Sequence, residues 1–121
     1  MPKLMKYAFW VPLCTILFSL FGATLNHSAM ALNGGKMPVD ASVAWWNVVD
    51  SRHKEIDEAT EAVWLCDIFP VKDAGGQIVA VQSIGDIFIE LAVFVVHLNL
   101  CFLFALGIYE AKKSLKPKKD L

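Results

Sequence analysis

Three ionisable residues, Asp86, Glu90 and His97, lie in or at the edge of a long apolar stretch, residues 83–113. A charged side chain at the centre of a bilayer costs roughly 2.5–3.5 kcal/mol on insertion scales, so such residues suggest function by default. Carboxylate and imidazole groups at this depth can carry protons or bind ions. They can also serve as polar contacts between packed helices. The sequence leaves both roles open.

Helical geometry places these residues in a polar stripe. Successive helical residues rotate by about 100°, which brings four residues of the stretch within about 60° of one another: Asp86, Glu90, His97 and Cys101. An earlier apolar run carries a second stripe of small and polar residues: Thr15, Ser19, Gly22 and Asn26. In an antiparallel helix pair we expect the stripes to meet, in the pairs Asn26–Asp86, Gly22–Glu90, Ser19–His97 and Thr15–Cys101.

The elements that must position these stripes are two apolar blocks, Ala8–Leu25 and Ile87–Ile108, in a chain of 121 residues that is 56% hydrophobic. A helix needs roughly 20 apolar residues to cross a bilayer. The sequence predicts an all-α membrane protein of one domain, an antiparallel two-helix transmembrane hairpin. Its spans cover about 8–27 and 86–109, with an external segment over about 33–82 and a basic tail over 110–121.

The charges of the chain predict its orientation. Lysines precede the first block and follow the second, whereas positions 33–82 carry eight carboxylates against four basic residues. The positive-inside rule then puts both termini in the cytoplasm and the middle segment outside. The expected partners are the lipid bilayer and other membrane subunits. A net charge of −1 gives no field for nucleic acid.

A signal peptide is the alternative for the N-terminal block. Lys3 and Lys6 would form its basic region, and "AMA" at 29–31 matches a small-residue cleavage pattern. Cleavage after Ala31 would leave one span. The apolar run exceeds the usual length of about 7–15 residues, which favours retention as an anchor.

Turn and cap residues divide the external segment. Gly34 and Gly35 should end the first helix, and Asp40 can cap a short helix that contains Trp45 and Trp46. Ser51 can cap a second helix over 52–66, with an acidic face that is either solvated or binds cations or a basic partner. Two extended pieces, 69–71 and 77–81, should flank the turn "KDAGGQ". Ser83 and Asp86 form a capping box before the second span.

Catalytic and metal-binding motifs are missing from the sequence. The histidines are scattered, and "GGK" at 34–36 lacks the phosphate-loop spacing. Cys14, Cys66 and Cys101 form no motif and are read as free thiols, with an intermolecular bridge through Cys66 as the alternative. We therefore expect no metal and no cofactor.

Three short blocks resemble a family of small bacterial integral membrane proteins of unknown function: "LNGGKMPV" (32–39), "WLCDIFP" (64–70) and "QSIGDIF" (82–88). The residues that match its motifs are Asn33, Gly34, Lys36, Met37, Pro38, Val39, Asp67, Pro70, Ser83, Ile84, Gly85 and Asp86. Cys66 departs from the glycine expected there. The resemblance implies a bacterial-type membrane protein, which we expect in the inner membrane, and it implies no particular activity.

The sequence therefore favours a non-catalytic integral membrane protein, an accessory or structural subunit of a larger membrane complex. Two helices leave little room for a self-contained pore or active site. One alternative is a component of a transmembrane proton or ion pathway that uses Glu90 and His97. A third is a membrane-surface enzyme that uses Asp67 and Asp86.

Overall fold

Two long helices flank, in sequence order, a small module over residues 33–44 and 51–83, which is called the external module because the sequence predicts it outside the membrane. The computed structural model describes residues 3–44 and 51–115, with side chains described over 10–43 and 51–115. The elements are α1 (Lys3–Leu32), β1 (Met37–Val39), α2 (Ala41–Ala44), β2 (His53–Glu55), a 3-10 helix (Val63–Leu65), β3 (Phe69–Lys72), β4 (Ile78–Gln82) and α3 (Ile84–Ser114).

Helices α1 and α3 have the dimensions of membrane spans. At about 1.5 Å per residue, each is about 45 Å long, against roughly 30 Å for the hydrocarbon core of a bilayer. The segments Trp10–Leu32 and Ile84–Ser114 are both long and apolar enough to cross a membrane. Large apolar side chains are exposed around both helices. These features indicate a membrane protein.

Contacts between α1 and α3 run in opposite order along the two helices. Asn26 is hydrogen-bonded to Asp86, and Phe21 and Phe18 both contact Phe88, at ring-centroid distances of 5.2 and 6.0 Å. Closer to the N-terminus of α1, Thr15 shares a small apolar cavity with Ala92. As residue numbers fall along α1 they rise along α3, so the two helices pack with opposite chain directions.

Local signals fix the helix ends that face the external module. Gly34 and Gly35 have φ values of +72° and +82°, and the Gly35 amide donates to the carbonyl of Met30 at 2.8 Å. Such left-handed residues close a helix C-terminus at little steric cost when they are glycine. Helix α3 begins with the predicted capping box, in which Ser83 and Asp86 each bond to the other's backbone amide.

The external module contains two small two-stranded sheets. Strands β1 and β2 pair in parallel, and β3 and β4 form an antiparallel hairpin. The hairpin confirms the predicted extended pieces. In its turn, the Asp73 carboxylate accepts from the amides of Gly75 and Gln77, at 2.8 and 2.9 Å. The all-α prediction is therefore wrong for the external segment, although the fold remains mostly helical.

The helix predicted over 52–66 is wrong. Residues 53–55 instead form β2, and Asp57 begins a turn in which its amide donates to the Thr60 hydroxyl at 2.9 Å. Asp and Thr side chains that bond to nearby backbone compete with helix formation. Ala62 follows with a φ of +49°, a left-handed conformation that an ordinary helix excludes.

Of two small apolar clusters, one holds the module against the helix ends and the other lies within the module. One contains Ala29 of α1, Met37 and Leu65, and the other contains Val39 and Val81. The short helix predicted after Asp40 is present as α2, where the Asp40 carboxylate accepts from the Ser42 amide at 3.0 Å. Trp45 and Trp46 lie outside the described residues.

Candidate functional site

A polar network joins α1 to the first turn of α3. The Asn26 side-chain amide donates to Asp86 Oδ1 at 2.7 Å. Ser83 Oγ accepts from the Asp86 amide at 3.0 Å and lies 2.7 Å from Asn26 Oδ1 and 2.8 Å from Asp86 Oδ2, to one of which it donates. The helix dipole also favours a carboxylate at this position. Asp86 is therefore well satisfied and serves to fix the start of α3.

Glycines allow the two helices to meet at this network. A Cβ atom added to Gly22 would lie 2.5 Å from the carbonyl oxygen of Gly85, and one added to Gly85 would lie 1.9 Å from Asn26 Oδ1. The buried residues of α3 are Gly85 and Ala92, seven apart and so on one face. Gly22 therefore faces Gly85, Phe88 and Ile89. The expected pair Gly22–Glu90 is wrong, because small residues rather than the polar stripe form the contact face.

The expected pair Asn26–Asp86 is confirmed, whereas the pairs Thr15–Cys101 and Ser19–His97 also differ from expectation. Thr15 is buried, but its hydroxyl donates to the Pro12 carbonyl at 2.8 Å, and its neighbours across the cavity are Leu91, Ala92 and Val95 rather than Cys101. His97 is exposed, and its Nδ1 lies 2.8 Å from the carbonyl oxygen of Val93 on its own helix rather than against Ser19. Cys101 is exposed.

Glu90 points away from α1 as well. It is exposed and is hydrogen-bonded to the side-chain amide of Gln82, at the end of β4. Its partner is therefore the external module, since the rotation that brings Gly85 and Ala92 to α1 turns the Glu90 side of α3 outward.

Asn33 clamps the end of α1 to the loop before the 3-10 helix. Its side-chain oxygen accepts from the Glu61 amide at 3.0 Å, and its side-chain nitrogen donates to the Glu61 carbonyl at 3.0 Å and to the Ala29 carbonyl at 2.8 Å. The residue is 6% exposed. Reciprocal bonds to one residue's backbone imitate a strand pair and fix the loop in place.

Asp67 is a buried carboxyl group beside β1. Its backbone bonds to both neighbours of Val39: its amide donates to the Pro38 carbonyl at 3.0 Å, and its carbonyl accepts from the Asp40 amide at 3.1 Å. Its side chain is 8% exposed, with Oδ2 3.8 Å from His53 Nε2. Burial, and then the nearby charge of Asp86, raise the pKa of Asp67 to about 7.

A cleft of about 240 Å³ opens where the external module meets the helix ends. Both helices and β1, β2 and the segment before β3 contribute to its lining, which comprises Asn26, Met30, Met37, Arg52, His53, Asp67 and Asp86. Among the described residues, no group of three or more His, Cys, Asp or Glu side chains is arranged to hold a metal ion. Two carboxyl groups of different environment thus face one solvent-accessible space.

Comparison with known proteins identifies the family. A model of a family of unknown function (DUF5317) matches residues 5–98, more than three quarters of the chain. The chain belongs to this family. An uncharacterized protein of Thermotoga maritima is 36% identical over 76 residues, which cover 61% of this chain and 45% of that protein. The chain thus spans less than half of that relative's length. No solved structure matches.

Most motif residues in this DUF5317 member line the cleft or belong to the elements that surround it. Asn33 and Gly34 shape the end of α1, Met37, Pro38 and Val39 form β1, and Ser83, Ile84, Gly85 and Asp86 open α3. Asp67 lines the cleft, Pro70 lies in β3, and Lys36 is exposed. The three blocks are distant in sequence but adjacent in the fold.

Sequence reasoning missed several cleft residues. His53 and Arg52 were expected on a helix, and Met30 was noted only as part of the "AMA" pattern at 29–31. Only the parallel pairing of His53 with Met37 brings β2 to the cleft, and a parallel pair of three-residue strands leaves no clear sequence pattern. Cys66, a free thiol, is completely buried, so the fold offers no access for an intermolecular bridge.

Proposed function

We propose that this protein is a non-catalytic, two-span integral membrane protein that serves as an accessory or structural subunit of a larger membrane complex. The observation that carries the proposal is the position of His97. It is exposed on the outward side of α3 near the middle of the apolar segment, among exposed apolar residues such as Leu98 and Phe94. A polar side chain facing lipid at this depth is unfavourable unless a protein or water covers it.

The hairpin itself supplies no such cover. Contacts between α1 and α3 engage the other side of α3, through Gly85 and Ala92. The described hydrogen bond of His97 uses Nδ1, which leaves Nε2 for a group outside the hairpin. A helix of another subunit that brings a polar group to His97 is the simplest partner, since interhelical hydrogen bonds are common at membrane interfaces.

The proposed topology places both termini in the cytoplasm of a bacterial cell and the module outside the inner membrane, following the charge distribution. Retention of α1 is part of this proposal. Gly22, Asn26 and Ala29 all contribute to packing with α3 or with the module. Cleavage after Ala31 would remove all three contacts, so the helix serves as an anchor rather than as a discarded signal.

A proton pathway through Glu90 and His97 receives less support. The two residues are seven positions apart, about 10 Å along the helix axis. Their described hydrogen bonds go to Gln82 and to the Val93 carbonyl, respectively, rather than toward each other. Replacement Glu90→Gln separates the roles, because a relay would lose proton-coupled activity while a subunit would still assemble.

Site-specific photocrosslinking tests the subunit proposal. A photoreactive residue at position 97 should link the protein to a partner in intact membranes, and mild detergent should extract the chain in a complex much larger than 13.4 kDa. The matched control is the same residue at Phe102, which is exposed but lies about 140° around the helix. Crosslinks at neither position, with extraction as a monomer, would contradict the proposal.

A further inference from the structure

The carboxyl group of Asp67 has hydrogen-bonding capacity that the fold leaves unused. The residue is 6% exposed, and its Oδ1 has no hydrogen-bond partner in the part of the chain that the structure describes. Its Oδ2 lies 3.8 Å from His53 Nε2, beyond hydrogen-bond distance. A buried polar atom without a partner is costly, so most such atoms in proteins are paired.

Asp86, in the same cleft, is the contrasting case. It accepts from the Asn26 side chain at 2.7 Å and from the Ser83 amide at 3.0 Å. Its role in the cap of α3 accounts for its position. The Asp67 side chain takes part in no such cap, and the residue lines an open cleft of about 240 Å³.

We propose that this cleft binds a primary ammonium group, with the Asp67 carboxylate as its main acceptor and Asp86 as a second negative charge. An ammonium group has three donors and no acceptor, which complements a carboxylate that lacks donors. The proposal concerns a ligand site on the external module and is independent of the subunit role proposed for the face of α3 that carries His97.

The lining favours an organic ammonium over a metal ion. Calcium takes six to eight oxygen ligands and zinc takes three or four His, Cys or carboxylate ligands. The described residues hold no such group of His, Cys, Asp and Glu side chains. Much of the lining is apolar instead, because Met30 and Met37 contribute to it. Thioether side chains pack well against an alkyl chain next to a charged nitrogen.

The size of the cleft limits the ligand. Typical pockets for drug-sized molecules have volumes of about 300–1,000 Å³, and this cleft is smaller. It therefore suits a short alkylammonium, either a free small amine or the ethanolamine headgroup of a phospholipid. The second source depends on the proposed topology, which puts the helix ends at the membrane surface.

The pH dependence of binding follows from the ionisation of Asp67 and from the charged groups around it. Asp86 reaches it from α3, and Arg52 and His53 line the cleft from β2 and the residue before it, while α1 contributes the neutral side chains of Asn26 and Met30. The pKa of Asp67 is raised to about 7 by burial and by Asp86. Because the ammonium group binds the ionised carboxylate, affinity should be about 100-fold lower at pH 5 than at pH 8.

Calorimetric titration of the purified full chain in detergent with n-propylammonium chloride tests the free-amine source. We expect saturable binding at pH 8 that falls at least tenfold in Asp67→Asn. Glu58→Gln, which removes an exposed carboxylate away from the cleft, should bind within twofold of the wild type. Neutral 1-propanol should not bind. Equal affinity in Asp67→Asn and wild type would overturn the proposal.

Nanodiscs test the lipid source. In discs that contain ethanolamine-headgroup lipid, the wild type should gain thermal stability at pH 8 relative to choline-headgroup discs, and Asp67→Asn should lose that gain. Stabilisation here without binding of n-propylammonium assigns the site to lipid. At pH 4, where the Asp67 carboxyl group of the folded protein is protonated, a cooperative thermal transition of Asp67→Asn close to that of the wild type shows that the variant is folded. Failure of both arms in folded protein would refute the site, whether or not crosslinking at His97 finds a partner.

Discussion

The two ends of α3 differ in whether the rest of the chain packs against them and forms hydrogen bonds with them. Near its start, Ser83 and Gly85 are buried, a capping box closes the backbone, and Asn26 of α1 completes a polar network. Further along, from His97 to Leu115, most side chains are exposed, including Phe104 at 72% and Tyr109 at 63%. The first end is specified by contacts within the chain, whereas the second requires lipid or another protein. The same helix thus combines a folding anchor with a surface for outside contacts.

The largest effect should come from a glycine pair that tests this difference directly. Gly22→Leu would drive a side chain into the Gly85 carbonyl, which lies 2.5 Å from the added Cβ. We expect a loss of about 3 kcal/mol or more in stability, because overpacking against backbone leaves no flexible neighbour to move. Thermal unfolding in mild detergent measures the loss.

Gly107→Leu is the matched control. It makes the same substitution in the exposed part of α3, where an added Cβ meets nothing within 4 Å. The Gly107→Leu protein should keep the thermal midpoint of the wild type, or its midpoint should rise slightly because leucine has a better helix propensity than glycine. Equal losses in both variants would remove the distinction between the two ends of α3.

How far the sequence specifies the fold depends on the range of the interactions. Both long apolar helices, the helix stop at Gly34 and Gly35, the Ser83 cap and the β3–β4 hairpin were predictable, because local composition and turn chemistry determine them. The strand His53–Glu55 was not, since its partner Met37–Val39 lies some 16 residues earlier and pairs in parallel. The rotation of α3 was mispredicted for a related reason: the contact of Gly22 with Gly85 outweighs the alignment of polar residues.

The candidate site shows the same limit. Asp67 was recognisable as part of a motif, and its neighbour Asp86 as a cap. Their placement in one cleft with His53 and Met30 depends on nonlocal pairing around β1. The raised pKa of Asp67 follows from burial that no sequence pattern indicates, since Asp67 comes just after the helix predicted over 52–66.

A second prediction concerns pH and the external module. For a carboxyl group, a folded-state pKa of about 7 against an ordinary value of 3.8 destabilises the fold as pH rises. The destabilisation is absent below about pH 4 and complete above pH 7. Asp67→Asn should therefore increase the free energy of unfolding by about 2–4 kcal/mol at pH 8, and by little at pH 4.

Thermal melts at the two pH values, without added amine, measure this gain. Asp57→Asn is an opposite control, because a side-chain hydrogen bond from Thr60 lowers the pKa of the exposed Asp57. Its carboxylate is favoured in the folded state, so this variant should gain nothing at pH 8. A pH-independent effect of Asp67→Asn would show that the carboxyl group does not titrate as argued.

The smallest predicted effect compares two serines at opposite ends of α3. Ser83 is completely buried, and its hydroxyl accepts from the Asp86 amide and contacts Asn26. Ser114 is exposed and donates only to the Ala111 carbonyl of its own helix. Ser83→Ala removes an N-cap and leaves the Asn26 oxygen without that partner, so a loss of about 1–2 kcal/mol is expected. Ser114→Ala should change stability by less than about 0.5 kcal/mol, as is usual at exposed sites.

Parallel thermal unfolding of the two variants in detergent measures the difference, and Ser83→Ala should also increase amide hydrogen exchange in the first turn of α3. If the two losses were equal, the network at Asn26 would contribute no more to the fold than a solvated hydroxyl, and the start of α3 could not be its anchor.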